Sequence, residues 1–256
     1  MKTTYWPGIV VRVLTGLLAL GYTPPAGAQD LAVGQVPARP PGLHDEMFSP
    51  PGQPRLRYAL SVPDGYSASR PVPLVLALHF GGNPSGAALG LMKVLVGPGL
   101  AELGAIVVAP ETMERGWNSP ANERAVIALL DGVEAAYRID TRRVVVMGFS
   151  MGGAGTWHFA SKFPDRFSAA IPMAGRPPED IGAWKMPVLA IHSRADETVP
   201  FGPAEARIKQ LKSSGVRADM IAVDGIPHYE TGRFAEPLRR AVPWLRDTWK
   251  KQESQR

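Results

Sequence analysis

Among 256 residues, six carry the densest chemical signal: Gly148-Phe149-Ser150-Met151-Gly152-Gly153. A serine bracketed by glycines is unremarkable alone, since both residues are common. Here it follows the apolar run Val144–Met147 and precedes Ala154–Phe163, which reads as a helix. A strand, a sharp turn and a helix form the context in which such a serine is presented as a nucleophile. The turn forces unusual backbone angles on the serine, and the glycines let neighbouring segments pass close by. The helix N-terminus favours negative charge developing beside it. Without chemistry, the same residues would be a glycine-rich strand-to-helix turn.

A serine hydroxyl needs a base to take its proton. Of five histidines, His44 falls in a proline-rich stretch, His158 inside the helix after the serine, and His192 at the end of a buried strand, where a structural role is expected. His79 belongs to a glycine turn. His228, in Gly225-Ile226-Pro227-His228-Tyr229, lies in a loop between an apolar run at Met220–Val223 and the last helix, and is the expected base. An acid must hold that imidazole in the correct tautomer. Asp196 stands just past the strand Val188–Ile191, with Glu197 as its neighbour and competitor. Asp224 is a weaker candidate, too close to His228 in sequence to reach around it.

The turn His79-Phe80-Gly81-Gly82-Asn83 follows the strand ending at Leu78. It is placed to aim a backbone N–H at an oxyanion, from Phe80 first and Gly81 second, together with the N–H of Met151. An ordinary strand-end turn would look the same if the serine motif were absent. Trp117, after the strand Ala105–Ala109, either lines a substrate pocket or covers the core. The chemistry assembled is acyl transfer to water through a covalent intermediate on Ser150, with no metal or organic cofactor required.

The elements that position these residues are legible as a pattern. Val72–Leu78, Ala105–Ala109, Val144–Met147, Ala169–Met173 and Val188–Ile191 are short continuous apolar runs, as expected of strands buried on both faces. Leu56–Val62 alternates like an outer strand. Asn122–Tyr137 has apolar residues at helix spacing, and Ala204–Leu211 and Phe234–Trp249 read as further helices, the last marked by Pro237 and Pro243. The alternation predicts an α/β fold: a mostly parallel sheet with helices on both faces, and ligands at the carboxyl ends of the strands.

These motifs, with Arg138-Ile139-Asp140 before the serine strand and Phe163-Pro164-Asp165-Arg166-Phe167-Ser168-Ala169-Ala170 after the serine helix, resemble the α/β-hydrolase superfamily. Within it the chain is similar to secreted esterases of the feruloyl-esterase and polyhydroxybutyrate-depolymerase type, and to prolyl-oligopeptidase-like predicted peptidases. The likeness runs from about Pro73 to the C-terminal helix. It implies a Ser150–Asp196–His228 triad and hydrolysis of small carboxylic esters. Depolymerase-like relatives usually carry cysteine in the oxyanion turn; Phe80-Gly81-Gly82 stands there in this chain. The competing functions are a serine peptidase with the same triad and a non-catalytic binding protein on the same fold. Peptidase relatives commonly add a gating domain, for which there is no sequence here, and a binding protein would be expected to have lost a triad member.

Composition bounds the rest. With 45% hydrophobic residues the chain suits one globular domain. Lys2 and Arg12, the apolar run Val13–Leu20 and Ala26-Gly27-Ala28 have the form of an export signal over residues 1–28, with too short an apolar run to span a membrane. A periplasmic or secreted protein is expected. Residues 29–54, rich in proline and glycine, read as a linker or wrapped arm, and 55–252 as the catalytic domain. Removing the signal takes two positive charges from a net +5 and leaves +3, scattered rather than striped, which argues against nucleic-acid binding. No cysteine is present, so neither disulfides nor a thiol nucleophile contribute. Only 14 residues (Ala174 to Pro187) separate the strand after the serine helix from the strand before Asp196, too few for a multi-helix cap. Nothing in the sequence sets the oligomeric state.

Overall fold

The computed structural model describes residues 31–254, apart from 181 and 183. The expected export signal lies outside the described residues. An eight-stranded sheet runs β1-β2-β4-β3-β5-β6-β7-β8. Strands β1 (Gly42–Phe48) and β2 (Leu56–Val62) are antiparallel; β3 (Val72–Leu78), β4 (Ile106–Pro110), β5 (Ile139–Phe149), β6 (Ala169–Met173), β7 (Val188–Ser193) and β8 (Ala218–Val223) run parallel to one another.

The helices are α1 (Ala87–Leu91), α2 (Gly97–Leu100), α3 (Pro120–Ala136), α4 (Met151–Lys162), α5 (Phe201–Ser213), α6 (Ala235–Arg239) and α7 (Ala241–Ser254). The sheet splits their packing into two cores. Leu74, Leu76 and Leu78 face one side with Leu129 of α3, Phe159 of α4 and Ile208 of α5. Val75 and Ala77 face the other with Leu91 of α1, Leu238 of α6 and Leu245 of α7. Both faces of each central strand are therefore buried, which is why those strands read as unbroken apolar runs.

One boundary differs from expectation. The segment 29–54 is not simply an arm before a domain starting at Arg55: it supplies β1, which pairs with β2 along its whole length. Its strand character was hidden because His44 and Glu46 stand at the half-buried positions while Leu43 and Met47 are exposed, the reverse of an amphipathic alternation. Upstream, residues 34–39 lie against α3. Arg39 N–H donates to Tyr137 Oη at 2.8 Å, and the Tyr137 hydroxyl donates to Pro37 O at 3.0 Å. The expected Phe234–Trp249 helix is broken into α6 and α7.

Strands β3, β5, β7 and β8 end at the same edge of the sheet. The loops after them carry His79–Phe80, Ser150, Asp196 and His228 respectively. Between β6 and β7 the described residues form no helix, so among them no helical cap is inserted at that edge.

Candidate active site

Ser150 occupies the turn between β5 and α4 at φ 58°, ψ −116°, a strained conformation for a residue with a side chain. The surroundings hold it there. Its N–H donates to Met173 O at 2.9 Å, tying the turn to β6. The adjacent glycines are dictated by close approach: a Cβ on Gly152 would lie 1.9 Å from Leu78 O, and one on Gly153 would lie 2.3 Å from Met173 O. No side chain fits at either place without moving a neighbouring strand.

From this turn a chain of hydrogen bonds runs across the sheet edge. Ser150 Oγ is 2.7 Å from His228 Nε2, and His228 Nδ1 is 2.7 Å from Asp196 Oδ2. The carboxylate only accepts, so Nδ1 carries the proton and Nε2 is left to accept from the serine hydroxyl. The Asp196 side chain is fully buried and its oxygens are well occupied. Oδ1 accepts from Thr198 N–H at 3.0 Å and Val199 N–H at 2.7 Å. The sequence-predicted serine, acid and base are thus brought together, and they form one connected path.

The rejected acids have other roles. Glu197 Oε2 accepts from His228 N–H at 3.2 Å, fixing the backbone of the histidine loop. Asp224 is exposed and pairs with Arg194 at 3.2 Å. His192, expected to be structural, lies under the acid loop. Its Nε2–H donates to Val199 O at 2.9 Å, with Asp196 Oδ2 at 3.4 Å. It clamps the same loop that Asp196 sits on.

The glycine turn after β3 lies against the serine turn: a Cβ on Gly81 would be 3.8 Å from Met151 Cβ. Met151 is the first residue of α4, so its N–H has no acceptor within the helix. His79 fixes the glycine turn from behind. Thr112 N–H donates to His79 Nε2 at 3.1 Å, so Nδ1 must carry the proton and donate to Phe80 O at 2.6 Å. Trp117 completes this arrangement: its Nε1–H donates to His79 O at 3.0 Å, and its ring lies edge-on to the imidazole. Trp117 is 2% exposed, yet it borders a groove of about 430 Å³ beside Met151. It both covers core and walls a cavity.

Two neighbours were not legible as site residues. Phe149 packs its ring 5.4 Å from His228, and only its place in the glycine-serine motif hinted at a role. Tyr229 is 79% exposed at the rim, edge-on to His228. Adjacency to the base was its sole signal. Among the described residues no group of three or more His, Asp or Glu side chains is placed to hold a metal ion, and no helix is long and apolar enough to cross a membrane.

Burial pushes the imidazoles of His79 and His192 below their ordinary value, outweighing the opposing hydrogen bonds they donate to the Phe80 and Val199 carbonyls. Acid therefore favours the unfolded chain, which binds those protons more readily. The stability these residues contribute is complete above the ordinary histidine value and is lost as pH falls below it. The thermal midpoint should drop between about pH 7 and about pH 5.5. A flat midpoint across that range, followed by calorimetry, would contradict this account.

Comparison with known proteins bears on the family and the fold. The model of the dienelactone hydrolase family matches residues 93–240. Feruloyl esterase C of Emericella nidulans is 30% identical over 198 residues, covering 74% of this chain and 70% of that protein. A probable feruloyl esterase C of Aspergillus terreus is 28% identical over 169 residues, 63% of each, so the matched region spans less than two thirds of that relative. The crystal structure of a thermostable esterase superposes with TM-score 0.66 at 25% identity, covering 80% of this chain and 62% of that one.

Proposed function

This chain belongs to the dienelactone hydrolase family, and from that premise we propose that it is a serine hydrolase cleaving carboxylic esters through an acyl-enzyme on Ser150. The observation that carries the reading is the unbroken path from Ser150 Oγ through His228 to Asp196, with 2.7 Å at both links. His228 Nε2 takes the hydroxyl proton as Oγ attacks the ester carbonyl. The carbonyl oxygen, now negative, is met by the Met151 N–H, with Phe80 as the second donor and Gly81 as the alternative. His228 then returns the proton to the departing alcohol. Water repeats the sequence on the acyl-enzyme and frees Ser150. Asp196 holds the tautomer and balances the imidazolium charge.

The two feruloyl esterase relatives support an ester, rather than a peptide, as substrate. Small soluble esters suit the open sheet edge. The leader pattern of residues 1–28 supports export, with the enzyme acting in the periplasm or outside the cell. Fluorophosphonate labelling followed by ester and peptide substrate panels tests the assignment. Labelling with ester turnover is expected; turnover of peptides alone would overturn it.

The uncapped edge also predicts acyl preference. A long flexible chain would lie largely in water, and each methylene left unburied forgoes about 0.8 kcal/mol. Across p-nitrophenyl esters from acetate to palmitate, kcat/KM should be highest for linear acyl groups of about two to six carbons, the range that this per-methylene figure implies without a lid. No jump should occur above the micellar concentration. A steady rise towards palmitate would show that another segment closes over the site.

A further inference from the structure

The sheet has two open ends, and one of them is poorly guarded. Strand β1 stands last in the order and pairs with β2; among the described residues no strand lies on its outer side. Edge strands are commonly blunted by proline, lysine, a bulge or short length. β1 has none of these: Gly42-Leu43-His44-Asp45-Glu46-Met47-Phe48 runs seven residues and keeps unbroken register with β2.

Its side chains alternate between the faces of the sheet. Phe48 belongs to the core that holds Leu76 and Leu129, so His44 and Glu46 share that side. Leu43, Asp45 and Met47 lie on the other. Leu43 is 40% exposed and Met47 42%. Scattered surface apolar residues need no explanation, but these two flank Asp45 symmetrically.

That symmetry identifies an occupant for the open side. A strand that meets its own copy antiparallel across a two-fold axis pairs residue by residue about one centre. With Asp45 at the centre, Leu43 of each chain stands opposite Met47 of the other, and His44 stands opposite Glu46. Apolar meets apolar, and the strand's one basic side chain meets an acidic one. Centring on His44 would instead set Leu43 opposite Asp45, and centring on Glu46 would set Asp45 opposite Met47. Two Asp45 carboxylates face each other in the favoured register, which costs stability unless they are compensated. Compensation is present: Arg57 of β2 donates from Nε to Asp45 Oδ1 at 2.8 Å and from Nη2 to Oδ2. These bonds, with Lys93 nearby, hold the Asp45 carboxyl below its usual range. The opposite end of the sheet offers no such match. Centring an axis on Met220 or Ile221 of β8 sets Asp219 opposite Ile221 or Val223.

We propose that the chain forms a two-fold dimer in which β1 pairs antiparallel with β1 of a second copy, centred on Asp45, joining the two sheets edge to edge. The interface uses the same patch on both copies, so assembly closes at two. The axis stands perpendicular to the sheet and reverses strand direction, so the two edges that carry Ser150 face opposite ways. One strand pair is a small interface, and the dimer dissociates on dilution. Nothing in this proposal depends on the esterase reading.

Sedimentation of the purified protein from about 1 to about 500 μM, the range of weak association, is the first test. The mass should rise with concentration from one chain towards two. A single-chain mass throughout overturns the proposal, whatever any variant does. The register is tested by Leu43→Lys/Met47→Lys and Leu43→Glu/Met47→Glu. Each variant puts like charges in both cross-strand pairs and should stay monomeric alone. Mixed one to one, they should recover a dimer, because every Lys then faces a Glu. The replaced side chains are exposed, so circular dichroism should match the wild type. A variant that dimerises alone as the wild type does would place the contact elsewhere, and a mixture that stays monomeric would exclude this register. Either result overturns the proposal.

Discussion

Ser150→Ala should lose ester turnover by a factor on the order of 10⁶, the usual scale for removing a nucleophile that acts with a base and an acid as one unit. The fold should be unaffected. Alanine keeps the Cβ that the turn already accommodates at positive φ, and the main-chain bond from residue 150 to Met173 O is independent of the side chain. The hydroxyl is bonded to His228 Nε2, and among the described residues no other hydroxyl is bonded to that nitrogen. Kinetics on p-nitrophenyl acetate with unchanged circular dichroism are the check. A purified variant retaining a tenth of wild-type activity would remove Ser150 from the mechanism.

Asp196→Asn should cost about 10⁴ in kcat, because it reverses the tautomer without disturbing the packing. The asparagine oxygen can still accept from the N–H groups of Thr198 and Val199, as Oδ1 does now. That leaves the amide NH₂ facing His228 Nδ1, where Oδ2 currently sits at 2.7 Å. Two donors cannot share that contact, so the imidazole moves its proton to Nε2 and no longer accepts from Ser150. The loss should appear in kcat for esters of every acyl group alike. A variant within about tenfold of wild type would mean that the acid does not set the tautomer.

Why these residues could be found without coordinates is a matter of topology. A parallel sheet delivers every strand's carboxyl end to one edge, so a serine, an acid and a histidine each placed just after an apolar run must converge. The runs at Val144–Met147 and Val188–Ile191 were unbroken because both their faces are buried. Local pattern failed where packing overrides it. Ala87–Leu103, interrupted by Gly90, Gly97, Pro98 and Gly99, was assigned no element from its sequence, and it folds as short α, π and 3₁₀ turns. Gly97 admits the Met92 carbonyl at the π-turn, and Gly99 yields its side-chain space to Leu238. Strand β1 was masked by polar residues at its half-buried positions. The Glu123–His158 pair was invisible for another reason: its partners stand 35 residues apart on two helices, and only their packing brings them together.

The central claim is that Ser150 Oγ is the atom to which the acyl group is transferred. The most direct measurement is to react the purified protein with a fluorophosphonate and locate the adduct by peptide mass spectrometry. The account predicts one adduct per chain, on Ser150, with ester turnover lost in proportion to labelling. An adduct on any other residue, or an enzyme that stays active while Ser150 is fully modified, would contradict it.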